Sequence, residues 1–314
     1  MEFSIVEKSG VPEELLNEFY EEGKRNGNFG TTEYRTNSEQ YDTLALVADN
    51  KVVGTADTLY PDQEASMAGC YILPEYRGRL EMHGKSAFEH LAKARIEETD
   101  RPLRTLATTN HGATQHVYSK FDFTPYEFEL PSDEWQAPHV KIAQPHEKRR
   151  FDRQIFAPDS ISDFVNHVAS SFDQRTEMVE GDYTGVEVNY MPNVFDDDYE
   201  FFKVREGNQP LSDAIGDIMD KKQDAVNATV RVDPEHPSSY EFIDELLNEG
   251  FRPLGYAPVI EDSELSQTSN LHFGYSNEPM RSELIPETQS FMEVAGWELE
   301  PLEEKDNSTE FRVL

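Results

Sequence analysis

The sequence predicts an α+β protein, a mixed sheet flanked by helices, built as two successive domains of similar element order. Three observations point there. Short alternating apolar runs separated by turn residues recur through the first third of the chain. Tyr71–Phe123 then reads as strand, basic turn, helix, strand, helix, which is one parallel crossover inside an otherwise antiparallel set. Finally, the phrase Phe121-Asp122-Phe123-Thr124-Pro125 has an echo in Glu249-Gly250-Phe251-Arg252-Pro253.

Taken in order, Phe3–Val6 alternates as a first strand, and Val11-Pro12-Glu13-Glu14 opens a helix carrying Leu15, Leu16, Phe19 and Tyr20. Leu44–Ala48 and Val52–Ala56 flank Asp49-Asn50-Lys51, a hairpin signal. Ala65–Leu73 is the third strand of that set. Pro74 stops it, and a turn with Arg77, Gly78 and Arg79 leads to a helix with Phe88, Leu91, Ala92 and Ile96 near one face. Arg104–Thr109 is a strand, Tyr118 sits on the helix after it, and Phe128–Pro131 is a further strand. Residues 132–154, rich in Pro, Gln, His and charge, read as a linker between domains at 1–131 and 155–314. The second domain is expected to hold helices at Ser160–Phe172, around Leu211–Ile218 and at Tyr240–Asn248. Its strands are expected at Val186–Tyr190, Tyr199–Val204, Ala225–Val232 and Asn270–Tyr275.

Composition narrows the function classes. With 62 acidic against 28 basic residues the formal charge is −34, spread along the whole chain of 314 residues. Such self-repulsion loosens a compact fold unless salt screens it, and at molar salt the Debye length falls to about 3 Å. A salt-loaded cytoplasm is the expected setting. No basic stripe exists to neutralise phosphates, so nucleic acid is not an expected partner; Lys141–Arg153, the densest basic stretch, reads as linker or helix face. A single cysteine, Cys70, excludes an internal disulfide framework and a cysteine-rich metal site. No apolar run approaches a membrane span, and Met1-Glu2-Phe3-Ser4 does not begin a signal peptide. No metalloprotease, serine-hydrolase or P-loop motif is present.

The stretch Ile72-Leu73-Pro74-Glu75-Tyr76-Arg77-Gly78 resembles the strand-ending phrase of the GNAT (Gcn5-related N-acetyltransferase) superfamily. Its pyrophosphate loop has a match in Arg79-Leu80-Glu81-Met82-His83-Gly84, with Met82 in place of the middle glycine. Asn110 and Tyr118-Ser119-Lys120-Phe121-Asp122-Phe123 resemble the family's later asparagine and Tyr-x-Lys-x-Gly-Phe phrase, with Asp122 in place of glycine. The resemblance rests on Tyr71–Phe123 and extends in outline through residue 130.

What it implies is a GNAT-like acyl-CoA-binding first domain followed by a degenerate GNAT-like second one, because Asn208-Gln209-Pro210-Leu211 is no phosphate cradle. The implied activity is transfer of an acetyl group from acetyl-CoA to a primary amine by direct attack. Backbone groups at Ile72 and Leu73 would hold the pantetheine arm. Arg77, Gly78, Arg79, Met82, His83, Gly84 and Lys85 would surround the pyrophosphate, and Asn110 would contact the arm. Tyr118 would protonate the departing thiolate, since a phenol with a pKa near 10 suits that task. Glu64 is the candidate general base, with His111 and His116 beside it as alternatives. The expected partner is a small-molecule or peptide amine, with a homodimer left open. The rival reading is a non-catalytic GNAT-fold subunit that binds acyl-CoA or works through protein partners.

Overall fold

A computed structural model describes residues 3–25, 41–60, 65–77, 81–82, 84–108, 112–131, 139–147, 152–192, 199–223, 225–257, 270–277, 280–281 and 286–300. The fold is α+β, a mixed sheet with helices packed on it, and seven helices of eight or more residues occur among the described residues. The chain divides into two compact units, one covering Met1–Leu106 and the other Ala107–Glu303.

The first unit holds β1 (Phe3–Glu7), α1 (Glu13–Arg25), β2 (Tyr41–Ala48), β3 (Lys51–Leu59), β4 (Ala65–Ile72) and α2 (Ala87–Glu98), with β5 (Leu103–Thr108) running to its boundary. Strand order is β1-β2-β3-β4-β5. The first four strands are antiparallel neighbours and β5 runs parallel to β4, as one crossover through α2 requires. The β2–β3 hairpin turns on Asp49 and Asn50, both at positive φ. Each sheet face has its own core. Leu16, Phe19 and Tyr20 of α1 pack with Ala45, Val52 and Leu73, while Ala87 and Leu91 of α2 pack with Leu44, Leu46, Ala56 and Ile72.

The buried face of α2 differs from the apolar stripe expected. Ala87, Leu91, Ala92 and Arg95 are buried, whereas Phe88 and Ile96 are half-buried. Arg95 is enclosed because its guanidinium clamps two strands. Nη2 donates to the carbonyls of Asp42 (2.8 Å) and Ala56 (3.2 Å), and Nη1 to the carboxylates of Asp42 (2.9 Å) and Glu98 (3.0 Å). A buried cation is tolerable only when so paired.

The second unit holds α3 (Gly112–Ser119), β6 (Thr124–Glu129), β7 (His139–Ala143), β8 (Asp152–Phe156), α4 (Ser162–Ser171) and β9 (Arg175–Val179). It continues with β10 (Val186–Pro192), β11 (Tyr199–Glu206), α5 (Leu211–Lys222), β12 (Asn227–Val232), α6 (Ser239–Asn248), β13 (Arg252–Ala257), β14 (Asn270–Ser276) and α7 (Pro286–Val294). Its main sheet runs β7-β6-β13-β14-β12-β11-β10, with β8 and β9 as a separate parallel pair. The stretch read as linker therefore contains β7 and the start of β8. Alternation in His139-Val140-Lys141-Ile142-Ala143 was hidden by a lysine and a histidine on otherwise apolar ground. Lys141 belongs there because Glu127 and Glu129 of β6 each approach its ammonium to 2.6 Å.

The echoed phrases are helix stops. At α3 the Phe123 N–H donates to the Tyr118 carbonyl and the Asp122 N–H to that of Ser119; at α6 Phe251 and Gly250 do the same to Leu246 and Leu247. This Schellman pattern needs a left-handed residue, supplied by Asp122 (φ 62°) and Gly250 (φ 86°). Asp173 and Gly296 close α4 and α7 in the same way, so the turn alone is a general device. The stronger parallel is order. Twice along the chain a strand, a helix and a parallel neighbouring strand (β4–α2–β5, β11–α5–β12) precede a helix and an antiparallel pair (α3–β6–β7, α6–β13–β14).

Candidate functional site

The first unit's sheet opens beside β4. The parallel register of β4 with β5 covers only Ala65↔Leu103, Ser66↔Arg104 and Met67↔Thr105, although both strands continue. At that point β4 gains an extra residue. Asp57 pairs with Gly69 and Thr58 with Met67, which leaves Ala68 as a bulge. Beyond the bulge β4 stays on β3 and parts from β5, and Leu106 is half exposed.

Register decides which backbone groups face the opening. Leu73 N–H donates to Val53 O at 2.9 Å, so Tyr71 and Gly69, in phase with it, turn their main-chain groups to β3, while the Leu73 carbonyl accepts from Tyr76 N–H. Cys70 and Ile72 turn theirs to the other edge. Ile72 and Cys70 thus carry the backbone groups on that edge, whereas the Leu73 N–H is consumed inside the sheet. Cys70 was read only as a small buried residue; no side-chain signal marks a backbone role. Burial pushes its thiol well above the ordinary range, with the Asp57 carboxylate adding to the rise.

The turn after β4 keeps a cation at the mouth. Arg77 donates through Nε to Ile72 O (2.9 Å) and lies over the Tyr71 ring, 5.1 Å from its centroid. Its side chain is exposed. Residues 81–82 and 85–86 pair across Gly84, which takes φ 75°, a turn that favours glycine. The helix α2 starts at Ala87, later than a loop ending at Gly84 would make it. Its first turn is already capped, for Ser86 Oγ accepts from Glu89 N–H at 3.2 Å. Glu89, nearly buried, keeps a carboxylate at that helix end with Lys85 3.4 Å away.

On the α1 face, next to the bulge, Asp57 is fully buried and accepts from Thr43 Oγ1 (2.9 Å) and from the Tyr20 hydroxyl (3.3 Å). The sequence reading missed this carboxylate because Asp57 sits inside an apolar strand with no motif around it. In the second unit Tyr118 is buried at the end of α3, its ring 5.2 Å from Phe123. His116 of the same helix is exposed. Glu64, Gly78, Arg79, His83, Asn110 and His111 lie outside the described residues, as does the side chain of Met82. Among the described residues no cluster of His, Cys, Asp and Glu is spaced to hold a metal, and no helix is long and apolar enough to cross a membrane.

The corresponding place in the second unit is closed. Parallel β11 and β12 stay paired from Tyr199↔Asn227 to Val204↔Val232 without a break. Before α5, Gln209 exchanges backbone hydrogen bonds with Val186, and the Tyr183 hydroxyl donates to Gln209 O at 2.7 Å. Gly207 lies so close to Val186 that a Cβ there would meet its carbonyl carbon at 2.5 Å.

No family model matches the chain, and no curated protein matches it. Solved structures resemble slightly less than half of the chain. The ribosomal-protein-S18-alanine N-acetyltransferase from Escherichia coli is 17% identical, with a TM-score of 0.38 over 46% of this chain and 93% of that one. A GNAT family acetyltransferase from Elizabethkingia anophelis with acetyl-CoA bound is 10% identical, with a TM-score of 0.30 over 45% and 97%. Arabidopsis thaliana NAA60 in complex with a bisubstrate analogue is 8% identical, with a TM-score of 0.36 over 45% and 98%.

Proposed function

We propose that the chain is an acetyl-CoA-dependent N-acetyltransferase that passes an acetyl group to a primary amine by direct attack, with the cofactor held by the N-terminal domain. One observation carries this reading: β4 parts from β5 just after the Ala68 bulge and turns the backbone groups of Cys70 and the N–H of Ile72 toward the gap, the Ile72 carbonyl being held by Arg77. An extended chain with amides of its own, such as the pantetheine arm, can pair with such an edge as an added strand. Cys70 and Ile72 would hold that arm, with Asn110 beside it. Arg77 and Arg79 would meet the pyrophosphate, with Gly78 and the turn through Met82, His83, Gly84 and Lys85 around it. Bound acetyl-CoA supplies the activated thioester. The chain's own residues then orient the amine and manage two protons, one leaving the amine through Glu64 and one delivered to the sulfur by Tyr118.

The second domain is a GNAT-like copy without a cofactor site in this reading. The unbroken β11–β12 register and the Gln209–Val186 closure support that assignment. Acceptors are small-molecule or peptide amines. One observation favours the rival, a subunit that binds acyl-CoA weakly and works through partners: the Glu89 carboxylate already occupies the first turn of α2, where it competes with a second anion.

Calorimetry with acetyl-CoA at molar KCl, with Arg79→Glu as control, decides between them. Saturable one-to-one binding that the control weakens at least about tenfold is expected from a phosphate-contacting arginine. Absence of binding by folded protein overturns the enzyme reading.

A further inference from the structure

The main sheet of the second unit carries one row across its seven strands that is polar at every position except Gly255. In register it runs Lys141–Glu127–Gly255–His272–Arg231–Lys203–Asn189. Toward β6 the row is buried and its charges neutralise each other. Toward β10 it surfaces. Side chains alternate along a strand, so Glu187, Asn189 and Met191 of β10 share this face with Phe201, Lys203 and Arg205 of β11 and with Arg231 of β12. The opposite face carries Phe202 and Val204, both buried, and Tyr190, over whose ring Lys221 of α5 lies at 5.0 Å from the centroid. The helix covers that side, whereas among the described residues Met191, Lys203 and Arg205 on this one are exposed.

The open face is unlike the rest of the molecule. Met191 is half exposed, Phe201 half-buried, and Lys203 and Arg205 are exposed. Arg205 pairs with Glu187 at 3.0 Å. Neither Lys203 nor Arg231 forms an ion pair among the described residues, and Arg231, over the Phe201 ring at 5.4 Å, keeps a buried Nε without a hydrogen-bond acceptor. Asp233 is close enough to feel Lys203 without a contact pair. In a chain with an excess of 34 negative charges, two unspent cations beside an exposed Met and a Phe form a local reversal of sign.

We infer that the β10–β11–β12 face is a docking surface for an acidic protein segment bearing an apolar side chain. The cations would form contact pairs with its carboxylates, and the apolar residue would settle on Met191 and Phe201. Complementarity of charge selects this occupant over a symmetric second copy, which would press Lys203 and Arg231 against their own equivalents. At high salt only contact pairs and apolar burial survive screening, and the face offers both. The inference stands apart from the acyl-transfer reading, since no residue of the β4 opening takes part.

The test is fluorescence anisotropy of a fluorescein-labelled acidic peptide of Glu and Asp around one Phe, titrated with the full chain at molar KCl. Saturable binding is expected, weakened at least about tenfold in Lys203→Glu and again in Met191→Asp, as for truncation of a contact pair and of an apolar anchor. Both sites are exposed, so both variants should fold; Arg231→Gln serves as a third, checked by circular dichroism. Absence of saturable binding by folded wild type overturns the proposal. So does equal binding by all three variants. A wild-type dimer by light scattering that Met191→Asp turns into a monomer overturns it in favour of a second copy.

Discussion

Glu127 carries the most consequential charge in the second unit. Burial by itself would raise its carboxyl, but His272 Nδ1 at 2.8 Å and Lys141 Nζ at 2.6 Å together hold it far below the carboxylate range. Burial keeps His272 below its ordinary value, so its imidazole is neutral near pH 7 and donates Nδ1–H to Glu127. Burial also opposes the Lys141 charge, yet Glu127 and Glu129 hold its ammonium above the usual range. Gly255 makes room for this group, for a Cβ there would stand 2.6 Å from that of Glu127. Glu127→Gln leaves Lys141 short of a buried counter-charge and should cost about 3 kcal/mol in urea unfolding. A carboxyl depressed in the folded state contributes stability that is complete above its unfolded pKa, about 4.3, and is lost as pH falls toward the folded value. Wild type should therefore weaken steadily below about pH 4.3, and Glu127→Gln should lack that part of the slope. Equal acid profiles would show that Glu127 is not held low. None of this was legible in sequence, where Lys141 reads as part of a linker, Glu127 as an ordinary charge before a strand, and His272 lies far along the chain.

Among the elements, α2 shows how local chemistry sets a helix's start. Expectation placed the opening at the loop ending in Gly84, but the Ser86 hydroxyl caps the Glu89 N–H and begins the helix at Ala87. Ser86→Ala should cost about 1 kcal/mol by denaturant midpoint, with no acyl-CoA present; an unchanged midpoint would mean the cap is redundant. The signal Ser-x-x-Glu was there to be read, and the family-like phrase before it drew the boundary forward. β10 shows a different economy. It is the last strand of its sheet, yet Gln209 takes the N–H groups of Val186 (backbone) and Val188 (side chain), and Pro192 has none to offer. An edge so blunted resists strand addition, which leaves the strand's face, rather than its edge, for a partner.

At the scale of the whole molecule, charge dominates. A formal −34 should make the compact state depend on screening, so the unfolding midpoint should climb by several degrees between dilute buffer and molar KCl. A flat midpoint would show that the carboxylates are spaced widely enough to need no screening. By itself the sequence determined the fold class, the run from β1 to β5 with α1 and α2 and its one crossover, and most helices and strands of the second unit. These follow from apolar periodicity and turn residues, which act between near neighbours. Only tertiary structure decided that β4 parts from β5 at Ala68 while β11 and β12 stay closed. It also decided that Cys70 rather than Leu73 faces the opening, and that Lys141 lies in a strand instead of a linker. Those outcomes depend on register between strands distant in sequence. A one-residue bulge redirects every backbone group beyond it, and a buried lysine reads as apolar only when its carboxylate partner is in place.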